Sequence, residues 1–160
     1  MVFADGPRPE ALAQGDVLAD VEFYAPRGGS YQPTVHARGI ITSHSCDFTK
    51  FEAARAKGLP LDRWPLLVAP LVKASEMDKD TAGNARADRM PRYFSVGSEA
   101  PLEEEHFADY WFMQPVAIVE LLSTDRLASM TDDYQRRLQR SLDRFFSWED
   151  RKKKLDADEG

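Results

Sequence analysis

Only one cysteine, Cys46, stands in the chain of 160 residues. A lone cysteine closes no internal disulfide, so covalent stapling is excluded and a reducing compartment is the natural setting. Long apolar runs are missing too. The longest, Trp64 to Val72, has nine residues, two of them proline, short of the ~20 apolar residues that cross a bilayer. The first residues lack the basic, apolar, small-residue order of a secretory signal, and the expected address is the cytoplasm. Neither GxGxxG nor a Walker lysine pattern occurs, which removes the nucleotide-cradling loops. Histidine is limited to His36, His44 and His106. Without a second cysteine the paired spacing of a zinc site does not arise, so no metal and no cofactor is expected.

What is present has an ordinary globular balance, 42% hydrophobic and 30% charged, in a length that suits one domain with a sizeable core. The net charge of −6 argues against a strongly cationic nucleic-acid binder, but the charge is unevenly spread. Residues 134 to 154 hold eight Lys or Arg against three Asp or Glu, a local +5 that leaves −11 for the remainder. Such asymmetry marks either a basic binding face or a solvated helix beside an acidic body.

Residues 1–13, with Pro7 and Pro9, read as a loose lead-in, 14–148 as one domain and 149–160 as a charged tail. From Val17 to Tyr24 the apolar residues alternate, which predicts a half-buried strand. Pro26-Arg27-Gly28-Gly29-Ser30 reads as a turn, Arg38 to Ser43 as a more buried strand, and 50–57 as a short helix ended by Gly58. Trp64 to Val72 reads as a third strand that Pro65 and Pro70 confine to its ends or to a sheet edge. The polar stretch 73–89 reads as an exposed loop. Tyr93–Val96, Tyr110–Met113 and Val116–Leu122 read as short strands. The last element is a helix over 132–147, opened by Thr131 with Asp132 and Asp133 suited to its dipole. At 100° per residue Tyr134, Leu138, Leu142, Phe145 and Phe146 fall within an arc of about 120°. Arg136, Arg137, Arg140 and Arg144 fall within about 100° on the opposite side. The tail beyond Trp148 is expected to fray.

The densest polar cluster, Thr42-Ser43-His44-Ser45-Cys46-Asp47, follows the second strand, where a rigid element positions functional groups. Three readings stand: Cys46 beside His44 as a nucleophile, the two as the start of a metal site, or Cys46 as a small buried hydrophobe with Asp47 as a cap or turn residue. Trp64, Trp111 and Trp148 suit base stacking or, more commonly, a core. Arg27 beside Gly28-Gly29 suits a phosphate contact, and Glu103-Glu104-Glu105 a solvated loop.

One resemblance runs through these elements. Gly15-Asp16-Val17 opens a strand over Asp20 to Phe23, the turn Pro26 to Ser30 follows, then Arg38-Gly39-Ile40-Ile41 and Leu66-Leu67-Val68-Ala69-Pro70-Leu71. Ala108-Asp109 and the helix at 132–147 close the series. This order resembles the PemK/MazF family of toxin endoribonucleases, and Ser45-Cys46-Asp47 is similar to a motif in bacterial proteins of uncharacterised function. The resemblance implies a mainly β chain with α, folded as a small SH3-like, strongly bent antiparallel barrel closed by the C-terminal amphipathic helix. It implies a homodimer whose partner is RNA or a protein antitoxin. The family's catalytic arginine falls on Arg38, followed here by Gly39 instead of proline. Its hydroxyl partner falls on Pro65 or Leu66, neither of which carries one. Ser43, Ser45 or Asp47 would then have to handle the 2′-hydroxyl proton while Arg38 meets the phosphorane charge. A straight strand would hold Arg38 and Ser43 ~16 Å apart. The expected function is a toxin-like barrel protein acting on RNA, as a divergent endoribonuclease using Arg38, Ser43 and Asp47. Arg27, Arg136, Arg140 and Arg144 are the expected RNA contacts, and His44 and Cys46 stand as reactive or structural residues. The alternative is a non-catalytic protein-interaction module of the same fold.

Overall fold

The computed structural model describes residues 1–4, 12–27, 30–60 and 64–158. Strand β1 (Asp16–Arg27) lies antiparallel to β2 (Ser30–Ile41), in register from Val17↔Ile40 to Arg27↔Ser30. Of the turn expected at 26–30, Pro26 and Arg27 belong to β1 and Ser30 to β2, and Gly28 and Gly29 lie outside the described residues. There follow α1 (Ser45–Ala56), β3 (Pro65–Lys73), a 3-10 turn (Ala74–Glu76), α2 (Lys79–Arg86), β4 (Tyr93–Gly97) and β5 (His106–Asp109). A second 3-10 turn (Tyr110–Phe112), β6 (Gln114–Ala117), α3 (Ile118–Ser123), β7 (Arg126–Ser129) and α4 (Asp132–Asp158) complete the order.

The seven strands form one antiparallel sheet in the order β4-β5-β3-β2-β1-β7, with β6 also paired to β3. The path is open at β4 and β7: the closure of a barrel is not among the pairings of the described residues. Successive strand residues point to opposite faces, and both faces are covered where the strands cross the middle of the sheet. Val17, Ile40, Ala69 and Leu71 belong to one core, with Leu138, Leu142 and Phe145 of α4. Leu18, Ile41, Leu66 and Val68 belong to a second, with Phe51 of α1 and Ile118 and Leu121 of α3. The period-two pattern of β1 therefore holds at Val21 to Tyr24 but not at Val17 and Leu18, which are both buried, ahead of a register shift between Leu18 and Val21.

Gly39 is required by close packing across the sheet. A Cβ there would lie 2.8 Å from Val68 Cγ1 and 3.1 Å from side-chain atoms of Phe23 and Val21. Gly39→Ala is expected to cost ~1–3 kcal/mol, the usual range for overpacking; a urea midpoint equal to wild type would show that the neighbours yield freely.

Several elements differ from the sequence reading. β3 is not an edge strand: it pairs with β2, β5 and β6. Pro65 is its first residue, and Pro70 sits where β3 leaves β2 and takes up β5, so neither proline interrupts a ladder it must complete. The stretch 73–89 is not a loop but contains α2, because Asp78 caps it by accepting from Thr81 N (2.8 Å) and Ala82 and Ala85 pack inward. Tyr110–Phe112 is a 3-10 turn rather than a strand, since the Asp109 carboxylate accepts from Trp111 N (3.1 Å) and bends the chain. Val116–Leu122 is split between β6 and α3. α1 begins at Ser45, five residues before the helix expected at 50–57. Helix α4 is longer than the 132–147 expected and continues to Asp158, through a lysine run of good helix formers. Nor do the first residues hang loose. Val2 and Phe3 are buried, Phe3 bridges Met130, and Val2 N donates to Glu99 Oε2 (2.7 Å).

Candidate nucleic-acid interface

Helix α4 presents its apolar arc to the first core, with Leu138, Leu142 and Phe145 buried and Tyr134 partly so. Phe146, read as part of that arc, is instead 48% exposed. The arginines do not form one outward stripe. Arg136 and Arg137 are successive residues about 100° apart around the helix, and this places them on different flanks.

On one flank Arg137, Arg140, Ser141 and Arg144 face Ala85, Arg86 and Asp88 from α2 and its exit, and Phe94 and Ser95 from β4. Together they line a cleft of about 340 Å³. Two of its cations are internally paired. Arg144 grips Asp88 through Nη1–Oδ2 (2.6 Å) and a second bond, Nη2–Oδ1, and Arg86 holds Glu105 (2.6 Å). Each acceptor raises the pKa of its arginine, the hydrogen bond being the leading cause. Arg137 lies over the Tyr134 ring at 4.5 Å, a contact that leaves its guanidinium able to donate outward. Arg140 makes no hydrogen bond or ion pair among the described residues. The cleft thus offers two uncompensated cations flanked by two serines.

On the other flank a cleft of about 460 Å³ is lined by His44, Phe48, Gln14, Gln135, Arg136 and Gln139, among others. Its polar groups are spent on the fold. Gln14 Nε2 donates to Thr42 O and Gln139 Oε1, Gln135 Nε2 to Gln14 O, and Arg136 pairs with Asp133.

The expected catalytic set is not brought together by any contact among the described residues. Arg38 Nη1 donates to Leu102 O (3.2 Å). Ser43 is buried and its Oγ accepts from Leu67 N (2.7 Å), which pins the end of β2 to β3. Asp47 sits in the first turn of α1, 3.7 Å from Lys50 Nζ. The side chains of Arg27 and Ser45 lie outside what is described. His44 caps α1, its Nδ1 accepting from Cys46 N (3.2 Å). Cys46 is exposed rather than a buried hydrophobe, because the first turn of α1 faces it outward. No cluster of His, Cys, Asp or Glu able to hold a metal occurs among the described residues. Of the tryptophans, Trp64 and Trp148 are partly buried, and Trp111 is 50% exposed with Arg92 at 4.3 Å from its ring.

Sequence reasoning did not find Arg86, Asp88, Ser95 or Ser141. Ser141, a small polar residue at the margin of the apolar arc, was the one available signal. Neither family models, curated proteins nor solved structures compared with the chain give a match. No helix among the described residues is long and apolar enough to cross a membrane.

Proposed function

We propose that this protein binds RNA along the arginine-lined cleft of α4, as a toxin-like protein of the kind its sequence resembles. The observation that carries the reading is the pair Arg137 and Arg140, neither joined to a carboxylate among the described residues, in a cleft whose remaining cations already have partners. Phosphate contacts from such cations supply most non-specific affinity, and the acidic remainder turns the polyanion toward this face. The SH3-like barrel belongs to the same proposal. It is supported by residues 2–4, which reach from β7 toward the segment after β4: Ala4 N donates to Ser129 O (2.9 Å) and Val2 N to Glu99. Cleavage by Arg38, Ser43 and Asp47 has weaker support than binding, since each is held by a different segment. A loss of toxicity on expression in Arg38→Ala, with RNA affinity kept, would restore it.

Anisotropy with a mixed single-stranded RNA at low salt tests the binding. The double reversal Arg137→Glu with Arg140→Glu is expected to weaken it at least about tenfold and to flatten the salt slope by roughly 1.4, two contacts at ~0.7 each. No binding by wild type at tens of micromolar would sink the proposal. The second reading, a protein-interaction module engaging an antitoxin-like partner or a second copy, would then stand on Tyr24, Leu67, Val119 and Leu122. These apolar side chains are 37–54% exposed on β1, β3 and α3, and exposed apolar groups of this kind mark partner surfaces when contiguous.

A further inference from the structure

Trp111 is half exposed and yet firmly held. Its backbone N donates to Asp109 Oδ1 (3.1 Å) and its indole Nε1 to Glu149 Oε1 of α4 (3.2 Å). The Arg92 guanidinium covers one face of the ring, 4.3 Å from the centroid. Arg92 is fixed in turn by the buried Asp109, through Nε–Oδ1 (2.8 Å) and Nη2–Oδ2 (2.5 Å), a bidentate pair with a set plane. Ordering a side chain costs conformational entropy. An exposed indole that is already ordered spares a ligand that cost.

The two elements that wall the arginine cleft both lead to this ring. Phe94 and Ser95 of β4 line the cleft, and Arg92 stands two residues before Phe94, ~7 Å along an extended chain. On α4, Arg144 lines the cleft, and Glu149, which holds the indole edge, follows it by five residues, ~7.5 Å along the axis. Tyr110, the residue before Trp111, packs its ring on Phe145 at 5.3 Å. The indole therefore stands past the Arg144 end of the cleft. Along the helix axis it is ~14 Å from Arg140, within reach of a strand whose phosphates lie on Arg137 and Arg140.

We propose that Trp111 is a base-stacking platform, on which an unpaired base of single-stranded RNA lies while neighbouring phosphates sit on Arg137 and Arg140. Stacking on an indole needs only a π face and so accepts any base. Bases of a single strand can be splayed out from their backbone, whereas those of a duplex are stacked on one another. The Glu149 carboxylate at the ring edge repels a phosphate, so the part of the strand that meets the indole is the base. A protein partner fits less well. The exposed parts of Trp111 and Phe112, even with those of Phe146, amount to roughly 300 Å² for side chains of this size, against ~800 Å² per partner in a stable interface. The platform rests on the RNA reading and adds to it a demand for unpaired bases.

The experiment compares a mixed single-stranded RNA of about ten nucleotides, a usual site length, with an abasic oligomer of the same length that keeps every phosphate. Wild type is expected to bind the abasic oligomer about tenfold more weakly, the worth of one stacked base. Trp111→Leu, apolar but without a π face, should bind the two oligomers equally. Trp111→Phe, which keeps a ring, should retain most of the difference, a rescue that a merely structural role would not produce. Leu and Phe variants with the same preference would overturn the platform. So would a wild type that binds both oligomers alike. In either case, binding that still depends on Arg137 and Arg140 would leave the RNA reading standing and turn the exposed indole over to a protein partner. No binding of either oligomer by wild type would end both readings.

Discussion

Arg126→Met is expected to lower the unfolding free energy by about 3–5 kcal/mol, the cost of stranding a buried charge. Asp16 opens β1 with its side chain fully buried, and its Oδ2 accepts from Arg126 Nη1 (2.9 Å) and from Ala13 N (2.9 Å). Arg126 opens β7 opposite Leu18 while Asp16 faces Ser129, so the pair runs diagonally across the short antiparallel ladder and ties the two strands together. Removing the arginine leaves the carboxylate without its cation among the residues of β1 and β7. Replacing both residues, Asp16→Asn with Arg126→Met, should recover part of the loss, because an amide costs less to bury than a carboxylate. Urea denaturation of the single and double variants measures both. A single-variant cost below about 1 kcal/mol would mean that solvent reaches Asp16 and screens it, as at an exposed pair.

Leu138→Ala should cost ~2–5 kcal/mol, the range for truncating a buried leucine and leaving a cavity. Leu138 is fully buried in the first core, to which Val17, Ile40, Met130 and Phe145 also belong. The same change should also weaken RNA binding, since Arg137 and Arg140 are placed by the seating of this helix. A thermal melt reads the first effect and anisotropy the second. An unchanged melt would show that α4 is not docked through this stripe, and the cleft beside it would go with it.

Where the pattern is dense, the fold was legible. The apolar arc of α4 has enough members to fix which side faces the core, and Leu138, Leu142 and Phe145 are buried as expected. β1 follows from the alternation at 17–24, but it runs on to Arg27, and β2 begins at Ser30, eight residues before the strand read at Arg38 to Ser43. α2 was hidden because only Ala82 and Ala85 face inward in eight residues, too small an apolar signal to oppose Gly83 and Asn84. Because proline lacks a donor, Pro65 and Pro70 were confined to the ends of β3 or to a sheet edge, and Pro65 does open the strand. Nothing local reveals that Pro70 stands where one neighbour gives way to another. Tyr110 to Phe112 carries strand-like composition, yet the carboxylate of Asp109 turns it, a capping bond that composition does not announce. The site was less legible still. Arg137, Arg140 and Arg144 were visible as charge, but their ion-pair partners Asp88 and Glu105 come from distant elements. Which arginines remain uncompensated is a property of the tertiary arrangement alone.

The pairing of β1 with β7 bears on the order in which the chain can fold. Asp16 and Arg126 are 110 positions apart, and such non-local closure slows folding because loop entropy is lost before contacts repay it. Synthesis proceeds from the N-terminus at about 5–20 residues per second, so the β1–β2 hairpin emerges several seconds before its outer neighbour. During that interval the far edge of β1 carries unpaired backbone groups, a template for mispairing between nascent chains. Val17, Ile40 and Ala69 stay uncovered on one face until Leu138 and Leu142 arrive. The first half of this protein therefore emerges with its exposed edge and apolar face open to holdase chaperones, and release comes only with the final helix.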